Sequence, residues 1–454
     1  MTGIQTLKIG VSGVRGIVGQ SLTPQLIVGF AEAFGTYLGG GVVVIGRDPR
    51  PSGEMVANAL VGGLLSTGCS VIDIGVCPTP TLQHAVVDLG ADGGVAITAS
   101  HHPSEWNALK FCREDGVFLN AYQAEELLNV YHQGAFAQRP YDALGRVGAD
   151  EGAINRHLSR VLEATDQAAI ARLAPKVVID SVNGAGADCA EGLLQKMGCE
   201  VIAINDVPNG RFPRDPEPIP ANLGQLCDAV REHGADIGFG QDADGDRLSV
   251  VSEEGIAIGE EYTLAFAAEV MAERDCPGPL VTNLSTSRMI DEVAARHGRE
   301  VLRAKVGEVN VVETMIAEGA VGGGEGNGGV IDPTLRFCRD NLAAMALILQ
   351  GMAWRGCTIS EWAGSFAPSA IMKEKLECPA GRTQRAILAL IRHYEGQRLD
   401  LTEGVKVLSE DGSWMHARPS NTEPILRVIA EADDCESARR LCDEALAVAR
   451  QAIG

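Results

Sequence analysis

Three α/β domains followed by a smaller C-terminal α+β domain are the architecture this 454-residue sequence predicts. A strand, a glycine-rich or hydroxyl-rich turn and a helix begin near residues 42, 176 and 278, the alternation of a sheet covered by helices on both faces. After about residue 368 that order gives way to a helix, two short strands around a tight turn, a third strand and a last helix. The chain is also too long for one ordinary domain, and its 45% apolar residues supply several cores.

The segment 10–16 is glycine-rich, with Arg15 within it. A helix over 24–37 follows, with Thr23 as N-cap and Pro24 in the first turn, where a missing N–H costs nothing. Residues 42–45 form an all-apolar strand, followed by a helix over 52–67 and a strand over 70–75. The apolar run 94–97 then delivers Ser100 into His101, His102 and Pro103. Proline biases the residue before it away from helix, so Ser100 is expected in a tight loop at a strand end. Parallel α/β proteins place their chemistry there.

The second unit opens with a strand over 176–180, a turn at 183–186 and a helix ending near Met197, and continues with strands over 235–239 and 248–251. The third opens with a strand over 278–283, then Ser285-Thr286-Ser287 and a helix to His297. Polar stretches at 145–152, 253–255 and 367–368 are the expected linkers. In the last unit a helix over 382–394 precedes strands over 404–408 and 413–417, joined through Asp411-Gly412. A strand over 425–430 leads to a helix capped by Asp434, with Ala438, Leu441, Ala445 and Leu446 at helical spacing. The expected domains are 1–150, 151–253, 254–367 and 368–454.

A net charge of −22 argues against general nucleic-acid or anionic-membrane binding, although clustered cations can still make a cleft locally positive. The twelve cysteines contain no C-x-x-C pair and read as core or helix-face thiols, which suits a reducing, cytoplasmic compartment. The first ten residues have no apolar signal region and no stretch is long enough to span a bilayer, so a soluble protein is expected.

Ser100 beside a histidine suits a hydrolase nucleophile, a phosphoryl acceptor or a helix cap. A G-x-S-x-G elbow, a P-loop and a strand-linked G-x-G-x-x-G are all missing from the sequence. Asp242-Ala243-Asp244-Gly245-Asp246-Arg247 lies between apolar strands, and its three carboxylates converge on one hard divalent cation if alternate residues share a side. An EF-hand is excluded, because Arg247 replaces the sixth-position glycine and strands flank the loop. A solvated acidic turn is the alternative.

The glycine-dense run 322–329 carries only Glu325 and Asn327, groups suited to sugar hydroxyls; a flexible loop without a ligand is the alternative. Arg418-Pro419-Ser420-Asn421-Thr422-Glu423-Pro424 supplies an arginine, hydroxyls and backbone N–H groups for a phosphate, or else a polar strand connection. Arg15 and Lys110 matter only if the glycine-rich Arg15 loop and the Ser100 loop face each other. Together these parts suit phosphoryl transfer between a serine and a phosphorylated polyol, where positioning and charge neutralisation dominate.

With T-A-S-H-H-P at 98–103, D-A-D-G-D-R at 242–247, G-E-G-N-G-G at 324–329 and R-P-S-N-T-E-P at 418–424, the chain resembles the α-D-phosphohexomutase superfamily along essentially its whole length. The resemblance implies three similar mixed-sheet α/β domains plus a smaller C-terminal α+β domain around a central cleft. It implies a mutase that moves a phosphoryl group between the 1- and 6-positions of a hexose or hexosamine through phospho-Ser100 and a bisphosphorylated intermediate. It further implies that Ser100, Asp242, Asp244 and Asp246 hold Mg²⁺, and that Arg247 contacts the phosphoserine or the sugar. Glu325 and Asn327 would grip hydroxyls, while Arg418, Ser420, Asn421 and Thr422 would bind the phosphate that is not reacting. His101, Lys110 and Arg15 would be the proton-transfer and charge-stabilising groups.

Two departures bear on the substrate. Many members carry serine and then histidine or asparagine where Asn327 and Gly329 stand, and several phosphomannomutases carry histidine where Glu308 follows Lys305-Val306-Gly307. This combination resembles members assigned as phosphoglucosamine mutases, with broad phosphoglucomutase/phosphomannomutase activity as the alternative. A monomer or homodimer without nucleic-acid or membrane partners is expected.

Overall fold

A computed structural model of the chain describes residues 7–10, 13–420 and 424–454. Four sheets organise it. The first has seven strands, in the spatial order Lys8–Gly10, Gly13–Ile17, Trp106–Arg113, Gly93–Ile97, Gly41–Arg47, Cys69–Val76 and Val147–Ala149. The second sheet orders Leu248–Ser252, Ile237–Gln241, Lys176–Asp180 and Glu200–Ile204, and the third Val301–Ala304, Leu280–Asn283, Gly322–Glu325 and Gly329–Ile331. The fourth is wholly antiparallel: Ala370–Glu377, Ile425–Ala432, Trp414–Pro419, Val405–Leu408 and Arg398–Asp400.

The first three sheets share one device. A parallel strand is followed at once by an antiparallel return strand: Gly93–Ile97 by Trp106–Arg113, Ile237–Gln241 by Leu248–Ser252, and Gly322–Glu325 by Gly329–Ile331. The connection between each such pair carries Ser100, the three aspartates, or Asn327. These loops therefore occupy equivalent places in three domains, each at the carboxyl end of a parallel strand.

Local sequence accounts for the element ends. The Thr23 side chain accepts from the Leu26 N–H at the start of helix Pro24–Leu38, and Gly39, at φ 78°, stops it in the left-handed conformation that glycine adopts without penalty. Helices Glu260–Ala272 and Asn341–Arg355 are buried almost all round, as expected of helices without a solvent face. They join Phe239, Leu280 and Val330 in a core shared by the second and third sheets. The first sheet packs its own core around Phe30, Phe34 and Ile97, and the fourth packs around Val428, Tyr394 and Leu446.

Three local expectations need correction. The polar stretch 145–152 is only partly a connection, because Val147–Ala149 adds an edge strand beside Cys69–Val76. Arg15 lies on a strand paired with Trp106–Arg113 instead of in a loop, since backbone pairing there outweighs the high glycine content. The strand Ala370–Glu377 forms where only a linker was expected just before it, because pairing with Ile425–Ala432 decides a weakly apolar sequence. All twelve cysteines are free. Among the described residues no helix is long and apolar enough to cross a membrane.

Candidate active site

Ser100 sits at φ 50°, a conformation uncommon for a residue with a side chain, and is buried. The loop is held in this shape from within. Arg50, itself buried, donates to the carbonyls of Ser100 (2.6 Å), His102 (2.7 Å), Pro103 and Trp106 (3.1 Å). Its Nε donates to Asp48 (2.8 Å), which also accepts from the Thr98 hydroxyl (2.6 Å); that hydroxyl in turn accepts from the Ser100 N–H (2.9 Å). The Ser100 hydroxyl is thereby aimed across the domain boundary, donating to Asp242 Oδ2 at 3.2 Å, with His101 Nδ1 at 3.4 Å.

Asp242, Asp244 and Asp246 are fully buried, and one ligand oxygen from each lies within 4.8 Å of the others. Gly245, at φ 70° against Pro78, lets the loop turn back so that all three face inward. Each carboxylate is tethered by one oxygen. Asp242 Oδ1 accepts from the N–H groups of Asp246 and Arg247, Asp244 Oδ2 from Lys110 (2.8 Å) and Thr79 (2.9 Å), and Asp246 Oδ2 from Arg339 (2.5 Å). Asp244 Oδ1 and Asp246 Oδ1 are buried without a hydrogen-bond partner among the described residues, and Asp242 Oδ2 accepts from Ser100.

Burial, with Asp246 and Asp244 as like charges, pushes the Asp242 carboxyl well above its usual range. Burial acts the same way on Asp244, but Lys110 outweighs it and holds that carboxyl below its usual range. Convergent unpaired carboxylate oxygens beside a hydroxyl are the donor set of a hard divalent cation. The solvated acidic turn is set aside by the burial.

Around Ser100, burial and then Arg247, His102 and Arg15 hold His101 well below the usual histidine range, so it is neutral at pH 7. Arg15 Nη1 lies 3.4 Å from the His102 ring, which brings the Arg15 strand and the Ser100 loop together. The Lys110 ammonium pairs with Asp244. Arg247 lies 3.4 Å from Glu217 and 3.8 Å from Asp246.

Glu325 is buried and fully engaged, by Asn283 (2.8 Å), the Gly307 N–H (2.8 Å), Asn327 (3.4 Å) and Arg339 (3.1 Å). Lys305 is exposed, while the Glu308 carboxylate pairs with Arg339 at 3.2 Å. In the last domain Arg418, on strand Trp414–Pro419 and not in the loop after it as expected, lies 3.5 Å from Glu403, and Glu403 accepts from the Val306 N–H at 2.7 Å, which brings the Arg418 end of that strand to the 305–308 segment. Ser420 closes the strand pair through its N–H to Ile425. Asn421 and Thr422 lie outside the described residues.

Sequence reasoning missed Asp48, Arg50, Thr79, Arg339 and Glu403. A faint signal existed for the first pair only: the polar turn Arg47-Asp48-Pro49-Arg50 sits at the end of a parallel strand, the position already favoured for Ser100.

Four sequence families, described as the alpha/beta/alpha domains I, II and III and the C-terminal domain of phosphoglucomutase/phosphomannomutase, match residues 6–138, 155–255, 259–369 and 375–448 in that order. The chain belongs to the phosphoglucomutase/phosphomannomutase family. It is 38% identical over 448 residues to a "Probable phosphoglucosamine mutase" of Methanopyrus kandleri, with 98% of each chain covered. A "Phosphoglucomutase/phosphomannomutase" of Thermococcus kodakarensis is 36% identical over 453 residues, again over 98% of each. Among solved structures, a phosphoglucomutase/phosphomannomutase family protein from Burkholderia thailandensis superposes with a TM-score of 0.85 at 25% identity, over 100% of this chain and 99% of that one. A putative phosphomannomutase from Thermus thermophilus gives 0.84 at 27% identity, over 98% and 99%.

In this phosphoglucomutase/phosphomannomutase family chain the third and fourth domains also meet through buried polar groups. His416 pairs with the Ser285 hydroxyl (2.8 Å) and the Glu403 carbonyl (2.7 Å), and Lys406 donates to the Leu284 carbonyl (2.6 Å). Burial holds His416 down to about 4, with Lys406 and Arg418 also lowering it. A depressed histidine contributes stability in full above its unfolded value near 6.5, and loses it as pH falls towards 4. Lowering the pH from 7 to 5 is therefore expected to cut hydrogen-exchange protection at 284–288 and 403–406 by roughly tenfold or more. Protection in His416→Asn is expected to change much less; equal pH responses would remove His416 as the cause.

A second buried cluster, His84, His157 and Asp340, has a different character. Both His157 nitrogens are engaged, by Thr81 (2.9 Å) and Asp340 (2.8 Å), and Arg160 lies 2.7 Å from His84 Nδ1. That is a closed polar junction with a resident positive charge.

Proposed function

We infer that the protein is a phosphohexomutase, interconverting hexosamine or hexose 6- and 1-phosphates through phospho-Ser100. Glucosamine phosphate is the preferred substrate, and broad phosphoglucomutase/phosphomannomutase activity is the alternative. The observation that carries this reading is the Ser100 hydroxyl directed at Asp242, beside two buried carboxylate oxygens without partners.

Asp242, Asp244 and Asp246, with the Ser100 phosphate, would hold Mg²⁺, which when bound neutralises charge on the transferring group. The rest falls to the chain. In the first half-reaction the bond between the Ser100 oxygen and phosphorus breaks as a sugar hydroxyl forms its own bond to phosphorus. The hydroxyl's proton is lost and the serine oxygen regains one. Neutral His101, beside Ser100, is suited to accept a proton, and Arg15 and Arg247 add positive charge nearby. The bisphosphate then turns in the cleft, and its other phosphate returns to Ser100. Arg418, Ser420, Asn421 and Thr422 are assigned to the phosphate at rest, and Lys305, Glu308, Glu325 and Asn327 to the sugar. Burial of Ser100 supports exclusion of water, which would otherwise hydrolyse the phosphoserine.

The hexosamine preference rests on Glu308, a carboxylate placed beside the sugar loop, and on the relatives named phosphoglucosamine mutase. Turnover on glucosamine, glucose and mannose 1-phosphates tests it. The amino sugar is expected to be fastest, and an equal or higher rate with glucose would overturn the preference. We read the domains as 1–150, 151–253, 254–367 and 368–454, each enclosing one sheet. Twelve free thiols suit the cytoplasm, where we place the protein as a monomer or homodimer.

A further inference from the structure

We propose that Arg339 is a positioning residue coupling the aspartate loop to the sugar loop, so that a cation at Asp246 and a sugar phosphate at Glu325 change each other's affinity. The inference rests on reading Asp242, Asp244 and Asp246 as a divalent-cation site, and extends it to a residue on a different domain.

One buried guanidinium reaches three carboxylates on three segments: Asp246 Oδ2 at 2.5 Å, Glu325 Oε2 at 3.1 Å and Glu308 Oε2 at 3.2 Å. Its backbone is pinned as well. The Arg339 N–H donates to Glu308 Oε1 at 3.3 Å. Asp340, next in the chain, caps helix Asn341–Arg355 through Leu342 and Ala343 and pairs with His157. The guanidinium therefore moves, if at all, by exchanging one carboxylate for another.

Gly329 makes room for the stem. A Cβ there would lie 2.3 Å from Arg339 Cδ and 3.0 Å from Cγ, while the Gly329 backbone is outside the left-handed region. Glycine is thus required by space and not by conformation. The absence of a side chain at 329 leaves the space that the stem of the three-way clamp occupies.

The coupling follows from shared charge. Arg339 ties Asp246 by Oδ2, while Oδ1 is buried with no hydrogen-bond partner among the described residues and has Arg247 Nε at 3.8 Å. A sugar hydroxyl that donates to Glu325 competes with Arg339 Nη1 for the same oxygen, and the displaced guanidinium shifts its weight to Asp246. A cation that draws charge from Asp246 shifts the guanidinium the other way. Coupling between two sites is reciprocal, so either ligand reports it.

The experiment uses the full chain carrying Ser100→Ala, so that the sugar is not turned over. Mn²⁺ binding is followed by calorimetry with and without saturating glucosamine 1-phosphate. We expect the sugar to change the Mn²⁺ dissociation constant by about fivefold or more. Arg339→Met removes the positive charge that competes with the cation for Asp246, so it should tighten Mn²⁺ binding severalfold and bring the sugar's effect close to one. Arg339→Lys should return part of the way to the parent affinity but restore little of the coupling, because an ammonium cannot span three carboxylates. Gly329→Ala touches none of the carboxylates and should reduce the coupling by displacing the stem. A sugar effect undiminished in both Arg339→Met and Gly329→Ala overturns the proposal while leaving the cation site standing. Failure of both Ser100→Ala and the protein with its phosphorylated serine to bind Mn²⁺ overturns the cation site, and the coupling with it.

Discussion

Ser100→Ala is expected to abolish mutase turnover while leaving the protein folded, and to remove a single phosphate from its intact mass. The serine makes one hydroxyl bond to Asp242 and one weak contact to His101, so its loss costs on the order of 1 kcal/mol. The loop is held through Arg50 and the Thr98 hydroxyl, neither of which touches the Ser100 side chain. Activity should fall by at least about 10³-fold, the scale expected when a covalent carrier is lost. The check is mass spectrometry of both proteins as purified, alongside single-turnover assays with glucosamine 1-phosphate. A non-catalytic sugar-phosphate sensor would carry no phosphate on Ser100, and a phosphatase would release inorganic phosphate instead of isomerised sugar. Either result would overturn the mutase reading.

Arg50→Ala is expected to have the next largest effect, and on two properties at once. It removes donors from four carbonyls of the Ser100 loop and leaves Asp48 buried without its cation. Burial already pushes the Asp48 carboxyl up, and Arg50 is the main opposing influence. Breaking a buried pair by removing one partner costs about 3–5 kcal/mol. A loop displaced by an ångström costs on the order of 10²-fold in rate, because the reacting atoms lose their alignment. Calorimetric melting should show the stability loss, and the fraction of protein phosphorylated on Ser100 should fall with it. Arg50→Lys should rescue only part of each, since an ammonium lacks the planar fork that reaches several carbonyls. A variant as stable and as fully phosphorylated as the parent would mean that Thr98 and Asp48 hold the loop unaided.

Much of the site was legible because its chemistry is written in consecutive residues. Asp242, Asp244 and Asp246 lie within five positions between apolar strands, but residues 242–247 form a turn instead of an extended loop, and the reversal at Gly245, not strand alternation, brings the carboxylates together. Ser100 was legible from the strand before it and the proline after it. Lys110 was identified as a candidate charge-stabilising group, but its partner was not legible. The strand Trp106–Arg113 turns its ammonium onto Asp244, a contact spanning 134 residues that no local pattern encodes. Arg339 was not legible at all, and Arg50 only faintly, from its polar turn at a strand end. A lone arginine is ordinarily a surface residue, and both acquire their roles from partners contributed by other segments.

By itself the sequence determined the kinds of elements, the four motifs that mark the family, and the class of reaction they suit. Those properties depend on residues close together in the chain: apolar runs, caps such as Thr23 and Asp434, and motifs of a few residues. Tertiary structure alone decided which loops face one another and which charges are spent on structure. Burial removes water as the alternative partner for Asp244, Asp246 and Glu325, so each must take its hydrogen bonds from whatever side chain the packing of another domain supplies.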